Sequence, residues 1–426
     1  MISASEPVVV TGMGCVSPFG VGVDTLWSSL VAGKSGIRRN NRFDTAGFAT
    51  GIAGLVPDRA DNPRGFDAAD YLDVKDIKKA DLFIQYGLAA AEEALNQAHW
   101  RPVSREDREA TATIIGSGVG GSPVFVKTVD TIREKGPRRL SPFTVPSFLA
   151  NLAAGWISIR HGFTGPIGTP VTACAASTQA IGDGLRLLLT GEAEVAVVGG
   201  AEACVDPVSI GGFGASRALA TGYDEDPTSA SRPFDVTHSG FVLAEGAAVL
   251  VLEKLSHARR RGAVPLAVVR GYGTSADAYH LTAGPPDGAG AQLAMRKALA
   301  AAALTPADID YINAHATATP VGDAAEAFAI AKLFGASGRR LAVTSTKSAT
   351  GHMLGAAGAI EAIITAMAVR HDIVPPTLNL EQPIENISQF ELAAKAPVFR
   401  PIRYGLSNSF GFGGVNASVV LAKAES

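Results

Sequence analysis

The sequence predicts an α/β fold in which sheets carry helices on both faces. Short runs of β-branched residues recur along the chain, and Ala- and Leu-rich stretches long enough to form helices lie between them. Continuous apolar strands that alternate with helices are typical of sheets buried on both sides. The predicted strands are residues 8–10, 113–115, 195–198, 249–252 and 268–269, and the predicted helices are residues 84–98, 178–189, 291–302 and 356–369.

The composition is that of a large globular chain. Of the 426 residues, 47% are hydrophobic and 18% are charged, so the chain can bury a core that spans two or three domain-sized units. The net charge of −3 at pH 7 gives no support for bulk nucleic-acid binding. The N-terminal stretch has no basic segment before its apolar run, so it does not resemble a signal peptide.

The longest uncharged stretch, residues 141–159, could be mistaken for a membrane helix. It contains Pro142, Pro146 and Asn151, and a buried segment of a soluble protein explains it better. No membrane association is therefore expected.

The three cysteines, Cys15, Cys174 and Cys204, show no CxxC spacing. This pattern favours neither a disulfide framework nor a zinc site, and we expect neither a metal ion nor a cofactor. Unpaired cysteines are normal in a reducing compartment. The sequence therefore predicts a cytoplasmic protein.

A faint internal duplication suggests two similar halves, residues 1–260 and 261–426. Residues 9–14 resemble residues 268–273, and each segment is a predicted strand that enters a Gly-x-Gly turn. Later in each half a short strand enters a turn and then a helix of small residues. A duplicated fold would place both of these turns at the centre of the molecule.

Cys174 is the candidate nucleophile in the turn of the first half. It follows a predicted strand, residues 170–173, and precedes an apolar helix pattern, so it falls near a helix N-terminus. Unpaired N–H groups and the helix dipole at such a position favour a thiolate. The alternative is a buried packing residue, which is what we expect of Cys15 and Cys204, since they lack this setting.

Two histidines lie in turns that follow predicted strands. His315 follows the strand-like residues 309–312, and His352 precedes an Ala/Gly-rich helix. A carbanion formed beside a thioester carbonyl needs hydrogen-bond donors for its enolate oxygen, and two neutral imidazoles can supply them. A cation such as Lys347, held by a carboxylate such as Glu326, would fix the protonation states. For either histidine taken alone, a structural role is the alternative.

Two segments, residues 116–121 and 408–416, are rich in glycine, and the glycines of the second would allow backbone N–H groups to approach a ligand closely. The second could also be a tight turn between two terminal strands. The first fits the GxGxxG dinucleotide-binding pattern, but no acidic residue ends a second strand about 20 residues later. Binding of a nicotinamide dinucleotide is therefore not expected.

Taken together, these segments resemble the β-ketoacyl-[acyl-carrier-protein] synthases, in particular the elongating type II (FabF-like) branch of the thiolase superfamily. The resemblance covers essentially the whole chain, and it implies the duplicated five-layered α/β/α/β/α thiolase fold with two mixed sheets, usually as a homodimer. The matching motifs are TAC at 172–174, GGFGASRAL at 211–219, SRPFD at 231–235, NAHATATPVGD at 313–323, STKSATGH at 345–352 and NSFGFGG at 408–414.

The resemblance also implies an activity: decarboxylative condensation of malonyl-carrier protein with an acyl chain held as a thioester on Cys174, which elongates fatty acids by two carbons. The two histidines would assist decarboxylation and stabilise the enolate, while Lys347 paired with Glu326 would set the local electrostatics. The main-chain N–H groups of Cys174 and Phe412 would form an oxyanion hole, and Phe412 would gate the acyl pocket. The catalytic residues implied are Cys174, His315, His352, Lys347, Glu326 and Phe412.

Binding residues are implied in the same way. Thr317 and Thr319 match threonines that bind the pantetheine arm. Four basic positions match those that meet the acidic carrier protein, although a solvated helix face is the alternative for the lysines. The substrate-binding set is Thr317, Thr319, Val119, Thr144, Phe410, Gly411 and Gly413, and the docking set is Lys75, Lys78, Lys79 and Arg217.

Three positions depart from the family pattern. Ala316 stands where glycine is usual, Thr144 where a second aromatic residue is frequent, and Val119 where isoleucine is frequent. The last two changes trim side chains at the acyl pocket. A specialised polyketide or polyene lipid pathway is therefore an alternative to fatty-acid synthesis.

Other functions of the superfamily fit the sequence less well. Thiolases use a second cysteine in a C-terminal Cys-x-Gly turn, but no cysteine follows Cys204. Initiating synthases use Cys-His-Asn, whereas His352 supplies a second histidine here. A chain-length-factor-like partner, which only shapes a heterodimer, lacks the nucleophile, so Cys174 argues against it.

Overall fold

Two five-stranded mixed sheets, one in each half of the chain, form the framework of the computed structural model, which describes residues 6–335 and 341–424. With one short extra strand they are hydrogen-bonded into a single 11-stranded sheet. The first five residues of the N-terminal stretch considered above lie outside the described residues. The strands are β1 (Val8–Ser17), β2 (Gly20–Val21), β3 (Arg38–Arg39), β4 (Ile52–Ala53), β5 (Thr111–Gly116), β6 (Ile167–Gly168), β7 (Val195–Glu202), β8 (Gly246–Lys254), β9 (Ala267–Ala276), β10 (Tyr311–Asn313), β11 (Ala342–Thr344), β12 (Ile373–Val374), β13 (Val398–Phe399), β14 (Tyr404–Gly411) and β15 (Val415–Lys423). The helices are α1 (Val23–Val31), α2 (Val74–Ile77), α3 (Leu82–Gln97), α4 (Arg105–Glu109), α5 (Ser122–Lys135), α6 (Thr144–Phe148), α7 (Leu152–His161), α8 (Ala176–Thr190), α9 (Pro207–Ala215), α10 (Leu255–Arg260), α11 (Ala289–Ala302), α12 (Pro320–Phe334), α13 (Lys347–Thr350) and α14 (Ala357–His371).

Strand order is the same in the two halves. The first sheet has the order β1-β8-β7-β5-β6, and the second has the order β9-β15-β14-β10-β11. Corresponding elements match in length, with ten residues in β1 and β9, eight in β7 and β14, and fifteen in α8 and α14. The N-terminal ends of β1 and β9 pair over three residues, so the sheets meet edge to edge. The predicted duplication is confirmed.

Helices lie on both faces of each sheet, as the sequence predicts. On the outer face of the first sheet, α3 packs against β1, β8 and β7; on the outer face of the second, α11 packs against β9 and β15. Between the sheets lie α8 and α14, which contact each other. This is the five-layered α/β/α/β/α arrangement of the thiolase fold.

The largest hydrophobic core fills the space between the two sheets. There α14 is buried from Ala357 to Val369, because strands of both sheets and α8 cover it. A helix that is apolar all round is buried in this way. The core joins Leu188 of α8 and Ile363 of α14 to strand residues Leu250 and Val419.

Most of the predicted elements are confirmed. Both ends of each of the four predicted helices lie within two residues of the ends of the observed helices α3, α8, α11 and α14. The five predicted strands lie inside β1, β5, β7, β8 and β9. The strand predicted at residues 170–173 is wrong, since the strand is β6 and residues 169–172 are irregular. Pro170 has no N–H to donate to a sheet ladder, which accounts for the difference.

Residues 141–159 form α6 and α7 rather than one long buried segment. Ala153 and Ile157 are fully buried, but Val145 is 55% exposed and Ile159 is 76% exposed, so the expectation of burial is only partly right. Among residues 6–335 and 341–424, no helix combines the length and the apolar character that a bilayer crossing requires.

Candidate active site

Cys174 lies in a turn of 3-10 helix, Ala173–Ala175, immediately before α8. Ala173 has a φ of 48°, in the left-handed region that non-glycine residues seldom adopt, and this sharp turn aims the next side chain into the interior. The Cys174 sulfur lies 3.0 Å from Nε2 of His352 and accepts a hydrogen bond from the main-chain N–H of Phe412. Cys174, His352 and Phe412 therefore lie in direct contact.

Burial determines the protonation state of the cysteine. It raises the pKa of the Cys174 thiol to about 12, although the charge of Lys347 and the Phe412 N–H both act to lower it. The resting group is therefore a neutral thiol, not the thiolate expected from a helix N-terminus. Its proton must leave when the sulfur attacks, and Nε2 of His352 is within reach to accept it.

The two predicted histidines meet beside this sulfur. The rings of His315 and His352 lie at 81° to each other with centroids 5.4 Å apart. Burial, and then the charge of Lys347, hold the pKa of both imidazoles well below the ordinary value. Both rings are therefore neutral at pH 7, and each can present one N–H to a developing oxyanion.

Lys347 forms its ion pair with Glu361, not with Glu326 as the sequence interpretation has it. Lys347 begins α13 and Glu361 lies in α14, and both side chains are at most 2% exposed. Burial raises the pKa of the Glu361 carboxyl, and the adjacent ammonium lowers it. The pair therefore holds the ammonium of Lys347 in the interior, where its charge lowers the pKa of both histidines.

Glu326 organises the main chain instead. Its carboxylate accepts hydrogen bonds from the N–H groups of His315 (2.9 Å) and Ala316 (2.6 Å) and from Nδ2 of Asn408 (3.1 Å). Burial raises the pKa of Glu326 to about 7 against the effect of these donors. Glu326, a residue of α12, therefore holds the main chain of the His315 turn in place. It is not the ion-pair partner of Lys347.

A cavity of about 420 Å³ opens in front of Cys174. Its walls include Thr317 and Thr319, whose hydroxyl groups lie 3.1 Å apart, and the gate segment 410–412. Gly411 approaches the nucleophile so closely that a Cβ there would lie 2.9 Å from the Thr172 carbonyl oxygen. Only glycine therefore lets this segment reach the sulfur.

A second cavity, of about 230 Å³, is more open to solvent, since Val119 and Phe125 on its wall are 45% and 56% exposed. Val119 lines both cavities, and Gly121, Ser122, Phe125 and Phe148 complete the second. The apolar lining suits a hydrocarbon chain. Val119 therefore lies at the boundary between the two cavities.

Several predicted binding residues do not line these cavities. Thr144 begins α6 and Gly413 lies beyond the gate segment, and neither borders either of these two cavities. Lys79 is paired with Asp76 and lies over the Phe143 ring. Arg217 is on the wall of the main cavity, while Lys75 and Lys78 lie in or next to α2.

Two buried glutamates were missed at the sequence level. Glu361 is the acidic residue of the otherwise apolar α14, and Glu202 ends the apolar β7. A lone carboxylate in an apolar helix or strand needs a hydrogen-bond or ion-pair partner. Its isolated position in the sequence is the feature that could have identified each glutamate as a residue with a specific role. Glu202 accepts hydrogen bonds from the N–H groups of Gly118, Val119 and Gly120. A dinucleotide phosphate bound by the GxGxxG segment would need these same N–H groups, so they are not available to it.

The same three side chains could in principle bind a metal ion, because ligand atoms of Cys174, His315 and His352 all lie within 4.8 Å of one another. A metal-bound histidine normally donates its other N–H to an acceptor. Nδ1 of His315 and Nδ1 of His352 are both buried without a hydrogen-bond partner among the described residues. The site therefore does not fit a resident metal.

Comparisons with known proteins agree with this geometry. Family models match residues 5–258 (beta-ketoacyl synthase, N-terminal domain) and 266–381 (beta-ketoacyl synthase, C-terminal domain). The chain is 47% identical over 416 residues to 3-oxoacyl-[acyl-carrier-protein] synthase 2 of Rhizobium meliloti, covering 98% of each. It is 45% identical to the mitochondrial 3-oxoacyl-[acyl-carrier-protein] synthase of Arabidopsis thaliana, covering 97% of this chain and 93% of that one.

Solved structures show the same fold. A beta-ketoacyl synthase from Burkholderia phymatum superposes with a TM-score of 0.89 at 30% identity, covering 99% of this chain and 100% of that one. A type II polyketide ketosynthase, solved with its acyl-carrier protein and a bound hexaketide, gives the same TM-score, identity and coverage.

Proposed function

The chain belongs to the β-ketoacyl synthase family and is a condensing acyltransferase, and we propose that Cys174 holds the acyl chain that it elongates. The reaction is the condensation of malonyl-carrier protein with an acyl thioester, with loss of carbon dioxide. The observation that best supports the proposed nucleophile is the 3.0 Å approach of His352 Nε2 to the Cys174 sulfur inside an apolar cavity.

In the first step the sulfur of Cys174 attacks the thioester carbonyl of the acyl donor. His352 accepts the thiol proton, and the N–H groups of Cys174 and Phe412 stabilise the tetrahedral oxyanion. Collapse breaks the bond to the carrier's pantetheine sulfur. That sulfur leaves with the proton, which restores neutral His352 and completes an acyl-enzyme.

In the second step malonyl-carrier protein occupies the emptied arm of the cavity, and the Cys174 thiolate that this step finally releases takes its proton from water. Thr317 and Thr319 hold its pantetheine amide groups, and the neutral N–H groups of His315 and His352 bind the thioester oxygen. Loss of carbon dioxide leaves an enolate whose carbon attacks the acyl group on Cys174. The carbon–sulfur bond breaks, the β-ketoacyl product leaves on the carrier, and the sulfur regains a proton.

The buried charges keep both histidines in the form that this step needs. The ammonium of Lys347, held by Glu361, opposes protonation of the imidazoles, so they act as donors without carrying charge. Glu326 keeps the His315 turn in place. Phe412 borders the cavity and is 40% exposed, which suits a gate that swings open for the acyl chain.

The partner is an acyl carrier protein. The surface of this chain that would dock the acidic carrier is the basic set Lys75, Lys78, Lys79 and Arg217. A homodimer is the proposed assembly, and α6 with Thr144 would then reach a pocket from a second copy. The halves divide near residue 260, in the gap between the two family matches. The cytoplasm is the proposed compartment, since all three cysteines are unpaired.

A ketosynthase of a polyketide or polyene lipid pathway is the second candidate. The structural likeness to the hexaketide-bound ketosynthase favours it. The relatives with higher identity carry the name 3-oxoacyl-[acyl-carrier-protein] synthase, which favours the elongation of fatty acids.

The test is replacement of the nucleophile. Cys174→Ala should abolish the mass increase that acyl-carrier protein gives the wild-type chain, yet retain decarboxylation of malonyl-carrier protein. Cys204→Ala, at a buried cysteine 0% exposed, is the matched control and should still be acylated. Condensation by the Cys174→Ala protein at the wild-type rate would exclude the proposal.

A further inference from the structure

Glu202, the last residue of β7, has its carboxylate completely enclosed by hydrogen-bond donors. Oε2 accepts the main-chain N–H groups of Gly118 (2.6 Å) and Gly355 (3.0 Å). Oε1 accepts the N–H groups of Val119 (3.2 Å) and Gly120 (3.3 Å) and the Ser117 hydroxyl (3.1 Å). One side chain thus ties the loop 117–120 to the turn that precedes α14.

The duplication explains what this cradle is. Cys174 and Gly355 each lie two residues before the two equivalent fifteen-residue helices, α8 and α14. Ala173 and Leu354, the residues before them, share a left-handed φ of 48° and 43°. Gly355 is therefore the counterpart of the nucleophile in the second half.

Glu202 has a counterpart too. It pairs with the first residue of β8 at the end of β7, just as Gly411 pairs with the first residue of β15 at the end of β14. A Cβ on Gly411 would lie 3.2 Å from the Cys174 nitrogen. Gly411 of the second half thus leaves room for substrate beside the Cys174 N–H of the first half. Glu202 of the first half instead places a carboxylate on the Gly355 N–H of the second half.

The loop that Glu202 holds borders the acyl site. Gly118 and Val119 line the Cys174 cavity, and Val119 also lines the second cavity beyond it. A Cβ on Gly118 would lie 2.8 Å from Oε2 of Glu202, so the loop rests directly on the carboxylate. Any shift of this loop therefore moves Val119, which borders both cavities.

We propose that Glu202 is a positioning residue for acyl-chain selection: its carboxylate occupies the counterpart of the oxyanion site in the non-nucleophilic turn and thereby fixes Val119 as the divider of the acyl pocket. The inference rests on the proposed function, because the pocket is assigned to the acyl chain held on Cys174. All five contacts come from donors, so the ionised carboxylate satisfies them and a neutral amide does not.

The test compares acylation of Cys174 by hexanoyl- and myristoyl-carrier protein, followed by the mass of the intact chain. Glu202→Ala should change the ratio of the two acylation rate constants by at least ~10-fold, because pocket shape discriminates hydrocarbon chains on that scale. Glu93→Gln is the matched control. That carboxylate also accepts buried main-chain N–H groups, those of Cys15 (2.8 Å) and Val23 (2.9 Å), but it borders neither cavity.

Two further measurements separate positioning from general damage. Sodium formate, which can refill the anion cradle, should restore the wild-type ratio in Glu202→Ala, whereas sodium chloride at equal ionic strength should not. In a Val119→Ala background, Glu202→Ala should leave the ratio unchanged, because the residue through which it acts is gone. Should Glu202→Ala fail to fold, Ser117→Ala is the second variant. It loosens the same loop, because the Ser117 hydroxyl also accepts the Gly120 N–H at 3.0 Å. It should likewise change the ratio of the two acylation rate constants.

The outcomes are distinct. A wild-type chain that forms no acyl-enzyme on Cys174 would overturn the proposed function and this inference with it. Normal acylation with an unchanged chain-length ratio in both the Glu202 and the Ser117 variants would overturn this inference alone. A ratio that shifts equally in Glu93→Gln would also overturn it, since the effect would then not depend on the loop.

Discussion

Lys347 and Glu361 form an ion pair in the interior, and neither side chain is more than 2% exposed. Because the pair is buried, its charges are screened far less than surface charges are. The ammonium acts on three groups at once, since it lowers the pKa of His315, His352 and Cys174. The pair is thus the electrostatic centre of the site.

Removal of this ammonium should slow alkylation of the nucleophile. In Lys347→Met the pKa of Cys174 rises further, so the thiolate fraction falls and iodoacetamide reacts more slowly at every pH from 6 to 9. The unpaired Glu361 should also lower the free energy of unfolding by ~3–5 kcal/mol. Lys254→Met, which breaks the more exposed pair with Glu194, is the control and should cost ~1 kcal/mol or less. Equal alkylation rates in Lys347→Met and the wild type would contradict this prediction.

Loss of either histidine should slow the release of carbon dioxide from malonyl-carrier protein. Each imidazole supplies one donor to the enolate oxygen, and removal of one such donor costs ~100- to 1,000-fold in rate. The rate of carbon dioxide release should therefore fall by this factor in His315→Ala and in His352→Ala, as measured with an assay of released carbon dioxide. His371→Ala, which removes a ring stacked on Trp27 in the last turn of α14, should retain the wild-type rate. A wild-type rate in His315→Ala would remove that residue from the mechanism.

Gly411→Ala should impair acylation. Its Cβ would lie 2.9 Å from the Thr172 carbonyl oxygen, so the gate segment must shift and the Phe412 N–H must move away from the sulfur. Displacements of this kind cost ~100-fold in rate. The control is Gly212→Ala in α9, where a Cβ meets nothing within 4 Å, and its acylation rate should be unchanged. Similar rates in the two variants would show that the close approach is not needed.

The buried carboxylate of Glu253 should govern the stability of the protein in acid. Burial by itself raises the pKa of Glu253, but hydrogen bonds from Arg261, His257 and Thr11 lower it to about 2 from an ordinary value of 4.5. Since the folded value lies below the unfolded value, the stabilisation is complete above pH 4.5 and is lost as the pH falls from 4.5 to 2. A difference of this size corresponds to ~3 kcal/mol.

The measurement is the free energy of unfolding in urea between pH 7 and pH 3. Glu253→Gln should be less stable than the wild type by ~3 kcal/mol at pH 7, and the gap should narrow below pH 4.5. Glu194→Gln is the control, with a carboxylate that is 37% exposed. A gap between wild type and Glu253→Gln that stays constant down to pH 3 would refute the assignment.

Sequence reasoning succeeded where local pattern decides structure. The small-residue helices after Cys174 and His352, the strand-exit turn of His315 and the glycine-rich gate segment all have local signatures, so their positions could be predicted. It failed where a partner lies on another element. Lys347 was assigned to Glu326, yet α14 brings Glu361 against it, and no spacing rule shows which of two distant carboxylates a fold will place beside an ammonium.

The Glu202 cradle was unpredictable for a related reason. Its five donors come from two segments about 240 residues apart in the chain, Ser117–Gly120 and Gly355, and only the packed sheets bring them together. The neutral thiol of Cys174 was missed because a helix N-terminus is a local feature, whereas the burial that raises its pKa depends on both sheets.

The position of α14 between the two sheets has a consequence for how the enzyme is made. Half of the chain supplies the sulfur, the other half supplies both imidazoles and the ion pair, and the helix that holds Glu361 has no face that water could solvate. A nascent chain therefore cannot acquire any part of the activity early, and a proteolytic fragment cannot keep it. Turnover measured during refolding would report the closure of the whole molecule, not the folding of either half.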